Sequence, residues 1–472
     1  EGVDGLTMAL TSAGIVINKK AIDNTVVDYV LGDGETNATE LVVAVGPADT
    51  VTFAMNDTYG DYAQVTGSAT INLFDLVSVT GSFGVEKRTN QDLYISGSTT
   101  ANTLVHANLL SIGLSNVSAF VGFNGIGLQL TDVDLAIALW SEIVTTGTAR
   151  KWTSVMASVG SASFEGVEGL TMALTSAGIV INKKAADNTV VDYVKGAGET
   201  AATELTVTVG PTDTVTFAID DINGDYAQVT GSATIDLFGF VSITGSFGVE
   251  KKTNQTVTLS TGVSATVNVL TIGLTNVSAF LGFGEGTDEA MGFQLTDVDF
   301  ALALFSETAG AMRKWTSVKG SVGSASFVGL TGLGLIVSTL GIEINKKAAD
   351  GSLIDYADNP LSVVVGPEDT VILDMDGSEG ELLRAFGSVT LEIADFVTIS
   401  GSFGFEKRTT GTTSTLLIGA AGITTFLGTV DGTMGVRIKD AGFGMVLYQQ
   451  AGGNKYALTA TGAAELVGFE DI

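Results

Sequence analysis

The chain has 472 residues, 45% of them apolar, with 22 Lys and Arg against 52 Asp and Glu and a formal charge of −30. That acidic balance argues against nucleic acid and anionic membrane surfaces, which both select basic patches. The absence of cysteine excludes disulfide frameworks, thiolate metal sites and cysteine nucleophiles, and no apolar run is long enough to read as a membrane-spanning helix.

Taken in chain order, the elements read as strands, because apolar residues recur with period two and Val, Ile, Thr and Phe are frequent. The first, LTMALTSAGIVIN, places Leu6, Met8 and Leu10 on one face, then Ile15 and Ile17 after a change of phase across Thr11-Ser12-Ala13-Gly14. NKKA at Asn18 ends that run. VGP at Pro47 and an acidic turn, FAMNDTYGDYAQ, lead to ATINLFDLVSV, whose alternation flips near Phe74-Asp75. GSFGVEKR follows, with a basic cluster at Glu86-Lys87-Arg88. LLSIGLSNVSAFVGF flips at Ser115-Asn116, and GLQLTDVDLAIAL flips at Thr131-Asp132 before RKW at Arg150. A one-residue slip sends every side chain to the other face, so each flip requires a corner or a bulge. Asn, Asp, Ser and Gly tolerate the backbone angles involved.

At Leu170 the sixteen residues that begin at Leu6 recur unchanged as LTMALTSAGIVINKKA, and at Leu333 a variant appears, LGLIVSTLGIEINKKA. The spacing from Gly5 to Gly169 is 164 residues, and from Asn182 to Asn345 it is 163. The units expected are residues 1–165, 166–328 and a shorter, divergent 329–472. Glu1 already lies inside the repeat, since EGVDGLTMAL matches EGVEGLTMAL from Glu165, so the chain reads as a piece of a longer array. Strand, two-residue corner, strand is how a β-solenoid rung is built, and the expected fold is all-β, an elongated β-solenoid. Tandem β-sandwich domains are the alternative. A membrane barrel is disfavoured, with three Trp and nine Tyr to build its aromatic girdles. Phe74, Phe83, Phe120 and Phe164, recurring as Phe238, Phe247, Phe280 and Phe327, would stack as a core ladder.

The candidate site is acidic. Asn56, Asp57 and Asp61 surround Gly60; Asp220, Asp221 and Asp225 surround Gly224; Asp374, Asp376 and Glu381 surround Gly380. Closely spaced oxygen ligands about a glycine turn suit calcium, which takes six to eight hard oxygens. None of the three has the full EF-hand spacing, and a solvated turn between strands explains the same residues. Asp132 and Asp134, repeated as Asp297 and Asp299, are spaced like paired carboxylates on one strand face, or are corner residues bonding backbone. The single histidine, His106, has no counterpart in the second unit, so no Ser-His-Asp or His-metal centre is expected and the chain reads as non-enzymatic. The basic clusters NKKA, EKR and RKW read as gatekeeping charges at strand ends, with binding of an acidic polymer as the alternative.

The recurrence of LTDVDLAIALW, GSFGVEKR and GLTMALTSAGIVINKK resembles the repeat regions of giant bacterial surface proteins of the adhesin and extracellular-matrix type. The Gly- and Asp-rich calcium nonapeptide of RTX proteins is absent. The resemblance implies an extracellular or cell-surface structural segment of a fibre or adhesin stalk. Its partners would be further copies of the repeat, and cell-surface polysaccharide. A polysaccharide-binding or polysaccharide-cleaving β-solenoid is the alternative.

Overall fold

The computed structural model describes residues 6–31, 37–73, 77–96, 102–123, 126–168, 170–196, 199, 201–237, 240–329, 333–393, 397–410, 413–429, 432–449 and 455–468. The protein is all-β, as the alternation predicts. Eighteen long strands form one antiparallel sheet, and three two-stranded hairpins stand apart from it. The hairpins are Leu41–Ala44 with Thr50–Phe53, Thr206–Thr208 with Thr214–Thr216, and Leu361–Val364 with Thr370–Leu373. Each sits in the loop after an Asn-Lys-Lys corner. The Pro of VGP lies in the hairpin turn, where no ladder N–H is needed.

The phase flips are bulges inside single long strands. Strand Thr103–Phe123 pairs with Ile126–Glu142, and the register shifts on both sides of Val117. Asn116 and Asp132 there have φ of 52° and 55°. One residue in this conformation moves the apolar set across the sheet without ending the strand. Strand Leu6–Asn18 shifts register between Leu10 and Ser12, in the stretch the sequence marks. The flip at Phe74-Asp75, and Phe74 and Phe238 themselves, lie outside the described residues.

The chain divides into two compact units, Glu1–Gly166 with Ser176–Gln228, and Val167–Thr175 with Val229–Ile472. In the first, the second repeat's hairpin covers strands of the first repeat. Leu205, Val207 and Val209 are buried in one cluster with Leu93, Ala107, Leu109, Ala136, Ala138 and Trp140. The small residues are what permits this approach: a Cβ on Gly84 or Gly113 would lie 2.4 or 2.5 Å from the Thr208 carbonyl oxygen. In the second unit, Val363 and Val365 of the third repeat's hairpin lie with Val267, Val269, Ala301, Ala303 and Phe305. Gly248 and Gly273 there face the Val364 carbonyl at 2.5 and 2.4 Å in the same sense.

The Asn of NKKA ties each loop down. Asn182 Nδ2 donates to the Val191 carbonyl at 2.7 Å and Asn345 Nδ2 to the Ile354 carbonyl at 2.9 Å. Each Asn Oδ1 accepts from a buried serine, Ser154 or Ser317, which in turn accepts from Tyr193 or Tyr356. Trp152 and Trp315 of the RKW motifs donate to the Thr189 and Ser352 carbonyls. These buried polar groups are thus satisfied, as burial requires.

The opposite sheet face is apolar, and none of the described hairpins covers it. A cross-strand row runs Val65, Val85, Ile112, Ile137, Val155 in the first unit. In the second it runs Val249, Ile272, Leu302, Val318, Ile344, Leu383. All of these are half-buried or exposed. Of the expected phenylalanine ladder, Phe280 is buried; Phe83, Phe120, Phe164, Phe247 and Phe327 are half-buried, and none belongs to either core cluster. The cores are built instead from the residues beneath the hairpins.

Candidate metal centre

The three acidic stretches form the same local structure. A single 3-10 turn follows an N-cap, Asn56, Asp220 or Asp376, whose side chain accepts from the N–H two residues on, at 2.8, 2.9 and 2.7 Å. Asn and Asp are preferred at this position for that bond. Gly60, Gly224 and Gly380 close the turns with φ of 63°, 63° and 80°. The expected pattern of oxygens about glycine is therefore first of all a capped turn.

Asp61, Asp225 and Glu381, expected to ligate alongside the caps, are held by lysines of the corner motif. Asp61 Oδ2 lies 2.9 Å from Lys19 Nζ, Asp225 Oδ1 3.1 Å from Lys183 Nζ, and Glu381 Oε2 3.1 Å from Lys347 Nζ. The hydrogen bond and charge of Lys19 hold the Asp61 carboxyl below the usual carboxylate range. Asp374 pairs with Lys319 at 2.7 Å. Asp57 is exposed. The NKKA lysines therefore act as counter-ions to these turns.

One set of carboxylates does converge. Asp192, Asp220 and Asp221 each offer an oxygen within 4.8 Å of the others, the only such group of three among the described residues. Asp192 is fully buried. Its Oδ1 accepts from the Val194 N–H at 3.1 Å, and its Oδ2 accepts from Asn102 Nδ2. Burial pushes the Asp192 carboxyl up. Burial, then the charges of Asp192, Glu199 and Asp220, push Asp221 up to about 6. The carboxylates meet at one point, and a hard divalent cation there would relieve the repulsion that Asp192 and Asp221 feel. Asp220 and Asp221 were legible as candidates. Asp192 was missed because it lies 28 residues upstream, although its recurrence as Asp28 and Asp355 was a usable signal.

The remaining candidates serve the fold. Asp134 Oδ1 accepts from the Asn116 N–H at 2.9 Å and Asp299 Oδ1 from the Asn276 N–H at 3.1 Å, so each latches the neighbouring strand's bulge. Asp132 and Asp297 occupy bulge positions with φ of 55° and 52°. His106 Nδ1 lies 3.0 Å from Asp92 Oδ1, both exposed. Arg150 pairs with Glu142 and Asp187, and Arg313 with Glu307 and Asp350, each stacked on the tryptophan two residues later.

No family model matches the chain, and no curated protein matches it. Among solved structures, the ferric yersiniabactin uptake receptor FyuA from Yersinia pestis aligns with 97% of this chain at 9% identity and a TM-score of 0.17. The chain spans 61% of that receptor's length. A similarity this low carries no argument about fold or function.

Proposed function

We propose that the chain is a structural segment of a long extracellular fibre or adhesin stalk. The observation that carries this reading is the interlock within each compact unit: the hairpin of one repeat is buried on the strands of the repeat before it. Such coupling makes neighbouring repeats fold as one array, which gives an extended chain stiffness without linkers. In this reading the strands of successive repeats take the place of solenoid rungs, and the array lengthens as strands add. Calcium at Asp192, Asp220 and Asp221 would brace the loop of the second repeat. Antibodies against the exposed loop Gly284–Glu289 should label extensions on intact source cells; label reaching its target only after permeabilisation overturns the proposal.

The apolar face supports a second reading, in which these strands line a bilayer as a barrel wall with the hairpins on the lumen side. It requires detergent for solubility. A chain that stays dispersed in plain buffer overturns it.

A further inference from the structure

The two buried hairpins are anchored alike and locked differently. At both junctions the loop of the following repeat runs along one strand end of the repeat before it. Asp192 N–H donates to the Tyr94 carbonyl at 3.0 Å, and Asp355 N–H to the Thr258 carbonyl at 2.9 Å. Val190 N–H donates to Ser96 Oγ at 2.9 Å, and Leu353 N–H to Ser260 Oγ at 3.1 Å. Each hairpin then crosses a glycine pair with no room for a Cβ. Contacts common to both junctions hold any loop of this design and select none.

Two chain lengths change together. Tyr94 pairs with Leu104, enclosing the nine residues 95–103, whereas Thr258 pairs with Ser264, enclosing the five residues 259–263. In the loop that faces this connection, eleven residues separate Tyr193 from Leu205, but four separate Tyr356 from Leu361. The long connection meets the long arm, and the short connection meets the short arm. At the first junction one side chain joins them: Asn102 Nδ2 donates to the Ala201 carbonyl of the arm at 3.3 Å and to Asp192 Oδ2. Thr203, also in the arm and 4% exposed, accepts from the Tyr94 N–H at 2.8 Å. At the second junction a cavity of about 330 Å³ lies beside Thr258 and Asp355, the equivalents of Tyr94 and Asp192.

The central aspartate of each loop shows what the difference does. Asp192 is fully buried, so its oxygens need partners. Oδ1 accepts from the Val194 N–H of its own loop at 3.1 Å, but Oδ2 accepts from Asn102, which belongs to the preceding repeat. Asp355 Oδ1 accepts from the Ala357 and Gly377 N–H groups at 3.2 and 3.0 Å, both in its own loop. One loop completes its aspartate with a neighbour's amide, and the other bonds its aspartate with its own backbone.

We propose that the junctions carry an address. The loop of the second repeat recognises a preceding repeat by its long connection and Asn102, whereas the loop of the third repeat seats on a preceding repeat with the short connection. The partner is a repeat of this chain's own kind, and the discriminating group is one amide. A buried carboxylate left short of a partner is costly, so a wrong neighbour is rejected by an unmet bond as well as by lost contact. Among near-identical sockets, such an address keeps a loop from settling on the wrong one, the misassembly to which repeat arrays are prone.

Hydrogen exchange on the full chain tests this. Asn102→Ala should lower protection of the hairpin Thr206–Thr216 about tenfold and leave the hairpin Leu361–Leu373 unchanged. Asp221→Gly gives the second loop the residue that the third has after its cap. Alone it should not lower protection. Combined with Asn102→Ala it should restore most of what was lost, because a backbone N–H then serves Asp192. A graft reads the address itself. Residues 184–225 exchanged for 347–381 should leave the transplanted hairpin about tenfold less protected than in its own place, and exchanging 95–103 for 259–263 as well should recover it. Asn102→Ala without effect on the hairpin, no rescue by Asp221→Gly, or a graft whose protection does not depend on the connection overturns the proposal. The address belongs to the interlock wherever the array is displayed, so these outcomes are read independently of surface labelling.

Discussion

The loops of the second and third repeats pack alike and are charged differently. Both are pinned by an asparagine to a carbonyl, both place a valine-rich hairpin on small residues, and both cap a 3-10 turn with aspartate. At the residue after the cap they part. The second has Asp221, whose carboxyl faces Asp192; the third has Gly377, whose N–H donates to Asp355 Oδ1 at 3.0 Å. A Cβ on Gly377 would lie 2.9 Å from the Asp355 Cβ. The third loop satisfies its aspartate with backbone, and the second gathers acids that a cation would bridge. Packing therefore specifies the loop, and one side chain decides whether three carboxylates converge in it.

The largest effect should fall on what the loops share. Val207 and Val363 are both fully buried. Replacing either with Asp puts a carboxylate into a core and should cost about 4 kcal/mol. In Val207→Asp, hydrogen-exchange protection should be lost from strands Val77–Ile95 and Thr103–Phe123 as well as from the hairpin. Loss confined to the hairpin would mean that the interlock contributes nothing to the strands beneath.

A smaller effect comes from forcing the third loop to imitate the second. Gly377→Asp adds a Cβ against Asp355 and removes the room for the backbone bond. It should lower stability by roughly 2 kcal/mol in chelator, from overpacking and like charge. Calcium should recover part of that loss, read as a rise in melting temperature. An unchanged melting temperature in chelator would show that the third loop tolerates the acid and that the glycine has no structural role.

Neutralising the second loop works in the opposite direction. Burial and the neighbouring acids push the folded Asp221 carboxyl up to about 6, above its ordinary value of 3.8. The native state therefore binds the proton more tightly, and stability falls as pH rises from 3.8 to about 6 and stays low above. With allowance for partial exposure, Asp221→Asn should stabilise the calcium-free chain by about 1 kcal/mol at pH 7. It should do nothing below pH 3.5 and should abolish the response to calcium. A pH profile of melting that is flat between 4 and 7 in the wild type would remove the repulsion argument.

These contrasts also mark what the sequence could show. Period-two alternation and the flips at Asn116 and Asp132 were legible because a bulge leaves its signature in adjacent residues. That they are bulges within continuous antiparallel strands was not, since corner and bulge shift the phase identically. The cap and glycine of the acidic turns were legible for the same local reason. The convergence of Asp192 with Asp220 and Asp221 was not, because it depends on a loop folding back over 28 residues. Least legible was the burial of the hairpins: Val43 and Val207 have the same local pattern, and only the surface each meets makes one exposed and the other core.

The smallest effect concerns the corner ion pairs, alike in distance and unlike in burial. Lys183–Asp225 and Lys347–Glu381 both span 3.1 Å, but Asp225 is 9% exposed at its side chain and Glu381 is 27% exposed. Water screens a charge in proportion to its access, so the same pair is weaker where the carboxylate is wetter. Asp225 is also held by the Lys184 N–H at 3.4 Å, a second partner that its neutral replacement would hold less well. Asp225→Asn should therefore cost about 1 kcal/mol and Glu381→Gln about 0.3 kcal/mol. In 1 M salt the Glu381 effect should vanish while most of the Asp225 effect persists. Chemical denaturation with urea, which leaves ionic strength unchanged, reads both. Equal costs that disappear together in salt would show that burial at the second-repeat corner adds nothing to its lysine pair.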